Sequence, residues 1–186
     1  CFCNTCEPKR IWTRCGEKYA LPTGYYRFGL LFRHEYNERR VDVQNWPVAY
    51  HGTRKENLPS ILRHRRIMFP GDTFDDGTIL PVRLGKCHAN GKPVIYVSPT
   101  IRYSQHDIYT PSERFEYGSP PNRRKYMVKS VLQCRVKPGS FRKCRETLGF
   151  RDRVIDEQFD NNEVEWVISD RLAVVPYGLL IGIFPQ

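Results

Sequence analysis

Short β-type segments separated by turn residues dominate this sequence, and only one segment has clear helical periodicity. The strand candidates are residues 46–50, 93–97, 126–136, 164–168, 171–177 and 178–184. They do not alternate with helices, so they lack the rhythm of a parallel βαβ fold. The sequence therefore predicts an α+β domain with a largely antiparallel sheet and few helices.

The single helix is predicted over residues 54–66, where apolar residues repeat at helical spacing between residues 58 and 62. Thr53 precedes this segment as a candidate N-cap, and Glu56 lies three residues later as a capping-box partner. Residues 70–92 are rich in Gly, Asp and Pro and predict a loop. Residues 18–29 mix Pro, Gly and aromatic residues and predict a loop that leads into a strand.

The size and charge of the chain limit the classes of protein to which it can belong. The 186 residues contain 30 Lys or Arg and 20 Asp or Glu, for a net charge of +10. One domain is expected at this length, and 11 Tyr, 10 Phe and 3 Trp are too many for a disordered tail. Apolar runs fall short of the ~20 residues of a membrane-spanning helix. We expect a soluble intracellular protein, cytoplasmic or nuclear, with no membrane partner.

The positive charge is concentrated in the first 150 residues, and such a field attracts phosphate groups of nucleic acids or nucleotides. The alternative is an ordinary solvated basic surface, because the Arg and Lys clusters are short. The chain begins at Cys1 without a methionine, which suggests a piece of a longer protein.

Four of the seven cysteines crowd the first 15 residues, at Cys1, Cys3, Cys6 and Cys15. Three thiolates in a C-x-C-x2-C cluster reach one tetrahedral ion, and Cys15 is a candidate fourth ligand. The pattern predicts a structural zinc site, with a reduced, partly disordered tail as the alternative. We divide the chain into a Cys-rich segment, residues 1–44, and a catalytic domain, residues 45–186.

Three segments carry residues that can take part in catalysis or ligand binding: YHGT at 50–53, IYVS at 95–98 followed by Tyr103, and EVEWVI at 163–168. Together they resemble the ADP-ribosyltransferase fold, in the branch with a His-Tyr-Glu triad typified by the poly(ADP-ribose) polymerases. The stretches CFCNTC, YALPTGYYRFGL and IYVSPTIRYS more closely resemble the C-terminal region of Neuralized-like proteins of the type 4 class. The resemblance implies split mixed, largely antiparallel sheets.

The resemblance also implies roles for individual residues. His51, Tyr96 and Glu165 match the catalytic triad. The implied NAD-binding residues are His51, Gly52, Thr53, Tyr96, Ser98 and Tyr103. Tyr103 would stack on the nicotinamide ring. The two tyrosines are closer in sequence than in the polymerases, so their roles could be exchanged, or Tyr109 could take one.

In this family a glutamate stabilises the positive charge that develops on the ribose as nicotinamide leaves. We assign this role to Glu165, because the apolar residues after it match the family's pattern. Glu163 lies two residues earlier, and a strand would place both carboxylates on one face. This spacing resembles the Glu-x-Glu element of related transferases and makes Glu163 a candidate for contact with the acceptor.

The resemblance implies transfer of ADP-ribose, most simply a single unit, from NAD to a protein, DNA or RNA acceptor, with no metal in the chemistry. One alternative is a non-catalytic module that binds NAD or ADP-ribose. Another is a zinc-stabilised interaction module. RNA 2′-phosphotransferase chemistry ranks lower, because the sequence lacks a convincing basic site for the 2′-phosphate. Oligomeric state is left open.

Overall fold

The computed structural model describes residues 5, 9–31, 42–81, 93–149 and 153–186. Over these residues the protein is an α+β fold of mostly antiparallel strands with few helices, as predicted. The strands are β1 Ile11–Arg14, β2 Glu17–Ala20, β3 Tyr25–Gly29, β4 Val48–Gly52, β5 Ile95–Val97, β6 Glu113–Tyr117, β7 Arg124–Val136, β8 Phe141–Cys144, β9 Glu165–Ile168 and β10 Val174–Pro185. The α-helices are α1 Leu58–His64 and α2 Ile101–Ser104, and short 3-10 turns cover Val43–Asn45 and Lys55–Asn57.

The central sheet has the strand order β3-β10-β7-β4, and β6 pairs with the first half of β7 beside β4. Its backbone is the long β7–β10 pair, which runs from Val174 opposite Val136 to Pro185 opposite Tyr126. The two strands predicted over 171–177 and 178–184 are one strand, interrupted only by a bulge between Pro176 and Gly178.

A second sheet, with the order β5-β9-β8, packs on one face of the central sheet. We call this the front face; it carries His51, Leu132 and Leu179, which lie opposite one another across β4, β7 and β10. Side chains alternate between faces along a strand, so Tyr50, Val131 and Leu180 lie on the back face. The β1–β2 hairpin and α2 contribute Tyr19, Leu21 and Ile101 to the core there.

The predicted helix is shorter than the sequence suggested, and its predicted capping is wrong. The α-helix begins at Leu58 after a 3-10 turn, with Asn57 at the N-cap position and no side-chain cap. Thr53 remains beside the end of β4, where its hydroxyl accepts a hydrogen bond from Asn57 Nδ2 at 3.0 Å. Pro59 in the first turn favours a start here instead, because it fits the beginning of a helix and lacks an N–H.

Residues 18–29 are not mainly loop, because they contain most of β2 and all of β3. Strand β3 pairs with β10 at the other end of the chain, and a distant partner leaves no local signal. This pairing also places part of residues 1–44 in the same sheet as residues 45–186. Among the described residues, no helix is long and apolar enough to cross a membrane.

Candidate functional site

The site forms where β4 and β5 separate. Tyr50 and Ser98 exchange two backbone hydrogen bonds, of 2.7 and 2.9 Å, and this isolated bridge is the last backbone pairing between the two segments. One residue further along β4, His51 Nδ1 lies 2.9 Å from the backbone oxygen of Tyr96. Its side chain therefore bonds a β5 carbonyl beyond the last backbone bridge between the two segments.

The histidine is fixed in one tautomer by this contact. A carbonyl only accepts, so Nδ1 carries the proton and donates it to Tyr96, which leaves Nε2 of the neutral ring as an acceptor. Burial lowers the pKa of His51 below its ordinary value of 6.5, and the hydrogen bond to Tyr96 opposes this shift only in part. The ring is therefore neutral at neutral pH.

A cavity of about 600 Å³ lies where the two strands separate. Its polar and aromatic wall includes His51, Gly52, Thr53, Tyr96, Tyr103 and Tyr109. Its apolar wall includes Ile61, Met68, Phe74 and Leu80, from α1 and the loop that follows it. The volume lies in the range of pockets that hold small organic ligands, and mixed apolar and polar walls are typical of them.

Glu165 lies behind this wall, at the start of β9, and is fully buried. Its Oε2 accepts hydrogen bonds from Tyr103 Oη at 2.6 Å and from Thr147 Oγ1 at 2.8 Å. Its Oε1 is also buried and has no hydrogen-bond partner among the described residues. A buried carboxylate oxygen without a partner is costly in a folded protein, so this arrangement requires an explanation.

Tyr103 connects the carboxylate to the cavity. Its hydroxyl accepts from the backbone N–H of Thr147 at 3.0 Å and lies 3.1 Å from the hydroxyl of Tyr109. The two rings are 5.5 Å apart and tilted by 55°. Burial, followed by the neighbouring Tyr109 and Glu165, raises the pKa of Tyr103, so its phenol stays protonated and donates to Glu165.

Tyr96 reaches the same region from the second sheet. It lies opposite Val167, so it shares a face of that sheet with Glu165. Burial and the nearby Glu165 charge raise the pKa of Tyr96. The structure thus brings together His51, Tyr96, Tyr103 and Glu165, and the hydroxyl bonded to the carboxylate belongs to Tyr103 rather than Tyr96.

Gly52 is required by packing as well as by its place on the cavity wall. A Cβ at this position would lie 2.1 Å from the backbone oxygen of Ser104 and 2.8 Å from Thr110 Oγ1. Ser98, predicted to contact NAD, is fully buried, does not line the cavity and accepts from the backbone N–H of Thr100 at 3.2 Å. Its observed contacts are therefore structural.

Glu163 does not lie on a strand, so the prediction that it shares a strand face with Glu165 is wrong. It is exposed in the turn before β9, with its N–H bonded to the Asp160 oxygen at 2.9 Å. The loop 153–164 is held by its own turns, and these delay the start of the strand to Glu165. Contact between Glu163 and an acceptor stays a prediction.

The predicted zinc ligands fall mostly outside the described residues, since these exclude Cys1, Cys3 and Cys6. Cys15 is exposed in the turn of the β1–β2 hairpin with a φ of +50°. Across the described ranges, no three His, Cys, Asp or Glu side chains are grouped as metal ligands would be. The zinc site stays a prediction.

Sequence reasoning missed Thr147 and the apolar wall of the cavity. Thr147 lies in an irregular segment between β8 and β9 and belongs to no recognisable motif. Phe74 and Leu80 come from the segment predicted as loop, and Met68 lies between that segment and the predicted helix; their spacing has no helical or strand period. Only the fold shows that these side chains converge.

No family model, curated protein or solved structure was found to match this chain. The geometry of the described residues therefore carries the functional argument.

Proposed function

We propose that this chain transfers ADP-ribose from NAD to an acceptor and releases nicotinamide, one unit at a time. The observation that carries this proposal is the convergence of His51, Tyr96 and Tyr103 on one cavity, with Glu165 bonded to Tyr103 behind its wall. These residues span positions 51 to 165 of the chain, and no local pattern requires them to meet.

The cavity suits a nucleotide substrate in size and in chemistry. Neutral His51 presents Nε2 as an acceptor, which fits a ribose hydroxyl as donor. Tyr96 and Tyr103 provide aromatic surface for the nicotinamide ring, and Gly52 leaves that wall without a side chain. Met68 and Phe74 are buried side chains that make another part of the wall apolar.

The reaction needs one bond to break before another forms. The bond between ribose C1′ and the nicotinamide nitrogen breaks, and both electrons leave with nicotinamide as a neutral base. Positive charge then develops on the ribose, where a negative carboxylate in a dry site stabilises it. An acceptor oxygen or nitrogen bonds to C1′ and loses its proton to water.

The carboxylate that fits this task is Glu165. Two hydroxyl donors fix its Oε2, while the unpartnered Oε1 is available for a group that the substrate supplies. Glu165 is fully buried behind Tyr103, so direct contact with the ribose requires the Tyr103 and Tyr109 side chains to move. In the described conformation the charge acts on the cavity through the Tyr103 hydroxyl.

The burial of Glu165 also favours a second candidate, a module that binds NAD or ADP-ribose without cleaving it. In such a module Tyr103 would stay in place, and the carboxylate would only orient its hydroxyl. The two candidates differ in one measurable property, since only the transferase releases nicotinamide.

The test measures NAD affinity, nicotinamide release and transfer of labelled ADP-ribose to protein, DNA or RNA by the full chain. We expect micromolar to millimolar affinity, which is ordinary for enzyme substrates. Release of nicotinamide should be matched by transfer of label. His51→Gln should weaken NAD binding by about 10-fold, because it removes the imidazole acceptor.

His64→Gln is the matched control, since His64 lies at the end of α1, pairs with Asp75 and does not line the cavity. It should leave NAD affinity unchanged. NAD binding without nicotinamide release would favour the binding module. The absence of NAD binding in a folded chain, or an equal effect of the two histidine variants, would contradict both candidates.

A further inference from the structure

The front face of the central sheet is covered over only part of its area. At the Leu132 end the second sheet and α1 pack against it and form the main core. Further along β7, Ser130, Val128 and Tyr126 lie on the same face by strand alternation, and each is only partly buried. Across the described residues, the front face therefore passes from core to accessible surface along one strand.

The accessible part of this face is rich in aromatic side chains. Register places Tyr26 opposite Ile181, Phe115 opposite Tyr126, and Tyr117 opposite Arg124. Phe28 lies two residues from Tyr26 on the same face of β3. We call the surface formed by Tyr26, Phe28, Ile183, Tyr126, Phe115 and Tyr117 the open face.

Four aromatic residues of the open face are largely exposed: Tyr26 by 66%, Phe28 by 58%, Phe115 by 53% and Tyr117 by 69%. Large apolar side chains that share one exposed patch are uncommon on proteins that bind nothing there. Rings on alternate residues of one strand lie roughly 7 Å apart on a common side. The open face thus presents separate ring surfaces on a rigid sheet.

The charge around the open face is positive. Residues 113–125 contain four basic and two acidic side chains, and Arg124 lies on the face itself. Both acids are already paired: Glu113 with Lys55, and Glu116 with Arg123 at 3.1 Å. With the net charge of +10 for the whole chain, this region suits a polyanion.

The open face leads to the candidate site. A small cavity of about 210 Å³ is lined by Phe115 of the open face, by Val128 and Ser130 of the adjoining front face, and by Thr53. Thr53 lines the large cavity as well. A chain molecule that lies across the open face therefore has one end close to the proposed reaction site.

We propose that the open face binds single-stranded nucleic acid, with bases stacked on its aromatic rings and phosphates near its arginines. Stacking on rings displayed by a sheet, with a basic surround, is a known mode of single-strand recognition. A duplex hides its base surfaces, so it fits this face poorly. The further consequence, that the bound strand is the acceptor, rests on the proposed transferase function.

The test measures binding of a fluorescein-labelled 12-nucleotide oligouridylate to the full chain by fluorescence anisotropy, without NAD. Each stacked ring contributes roughly a 5- to 150-fold change in affinity on replacement by alanine. We expect Tyr26→Ala, and separately Phe115→Ala, to weaken binding within that range. Arg124→Gln should reduce the slope of log affinity against log salt by about 0.7.

Trp12→Ala is the matched control, since Trp12 is a 40% exposed aromatic residue on the β1–β2 hairpin and outside the open face. It should leave affinity unchanged. The substituted rings are largely exposed, so thermal unfolding should confirm that every variant is folded. The duplex of this oligouridylate with a complementary oligoadenylate should bind more weakly than the single strand.

Three results would overturn the proposal: no binding of the oligonucleotide at low salt, equal loss in Trp12→Ala and Phe115→Ala, or tighter binding of the duplex. Binding of an acidic peptide in place of the oligonucleotide, sensitive to Phe115→Ala, would assign the face to a protein partner instead. NAD is absent throughout, so failure here leaves the transferase proposal intact. Loss of nicotinamide release would likewise leave this proposal intact.

Discussion

Thr147 is the residue that most constrains Glu165 without belonging to any recognisable pattern. Its hydroxyl donates to Glu165 Oε2 at 2.8 Å, and its backbone N–H donates to the Tyr103 hydroxyl at 3.0 Å. One residue therefore orients both the carboxylate and the phenol that connects it to the cavity. Thr147 acts through Glu165, so it is a positioning residue.

Thr147→Val keeps the shape of the side chain and removes the hydroxyl. We expect kcat for nicotinamide release to fall about 10-fold while KM for NAD changes little, since a charge-assisted hydrogen bond is lost away from the ligand. Steady-state kinetics measure both values. Thr147→Ser restores the hydroxyl and should recover most of the rate. Equal losses in the Val and Ser variants would contradict this role.

His51 should make stability depend on pH. Its pKa is lowered in the folded protein from 6.5, so the unfolded chain binds the proton more readily. Stability from the neutral ring is complete above about pH 6.5 and falls as pH decreases towards the folded-state pKa. Denaturant unfolding between pH 7.5 and 5.5 should give a smaller decline for His51→Gln than for the wild type.

The difference between the two slopes is at most about 1.4 kcal/mol per pH unit, the limit for one proton. Parallel slopes for the two proteins would contradict a neutral, partly buried His51. His64→Gln serves again as a comparison, because His64 is exposed and pairs with Asp75.

Site residues were predictable from sequence where chemistry and local pattern coincide. His51 and Gly52 end a strand, and Glu165 begins one, so their positions could be inferred. The division of roles between Tyr96 and Tyr103 was not predictable, because it depends on which ring reaches Glu165 across the split in the sheet. Thr147 depends on a loop whose course is set by tertiary contacts.

At the scale of the elements, the site is created where strands β4 and β5 separate. The Tyr50–Ser98 bridge holds the two segments together at one point, and α2 follows directly, with Ser104 packed over Gly52. The Ser104 hydroxyl also donates to the Tyr50 oxygen at 2.9 Å. The short helix therefore fixes both the cleft and Tyr103 within it.

Gly52→Ala should damage this junction. The added methyl would lie 2.1 Å from the Ser104 oxygen, so α2 or β4 must shift, at a cost of roughly 1–3 kcal/mol in the free energy of unfolding. Denaturant unfolding measures the loss. Gly29→Ala is the control, since its nearest neighbour would be an Arg27 side-chain atom at 3.9 Å. Equal stability of the two variants would contradict the tight packing at Gly52.

Strands could be predicted from the sequence where β-type residues are continuous, as in β7. The prediction failed where a strand depends on a partner that is distant in the sequence. Strand β3 and the short strands β6 and β8 have weak local signals and exist because β10, β7 and β9 offer them edges. The predicted start of α1 was wrong because Thr53, a good N-cap by type, lies directly after β4. Its hydroxyl accepts from the Asn57 side chain, and the helix begins only at Leu58.

At the scale of the whole molecule, the question is whether a metal bound by the cysteine cluster stabilises the N-terminal residues. We expect about one zinc per chain by elemental analysis of protein purified under reducing conditions. Cys3→Ser should remove the metal and lower the Tm, without altering NAD turnover in the fraction that stays folded. Cys144→Ala, outside the cluster, should retain zinc. Metal-free protein with an unchanged Tm would contradict the site.

The two proposals assign anionic ligands to two neighbouring places on the molecule. The large cavity and the small cavity beside the open face share Thr53, so the two proposed ligands, a nucleotide and a polyanion, would lie side by side. The central claim is that the Glu165 carboxylate makes the large cavity a site of NAD cleavage.

The most direct measurement is the rate of nicotinamide release from saturating NAD by wild type, Glu165→Gln and Glu157→Gln, with NAD affinity determined on the same preparations. Glutamine can still accept from Tyr103 and Thr147, and Glu157 is an exposed acid in the loop that precedes β9. We predict at least a 100-fold slower release in Glu165→Gln with similar NAD affinity, and no change in Glu157→Gln. Equal release rates in all three proteins would contradict the account.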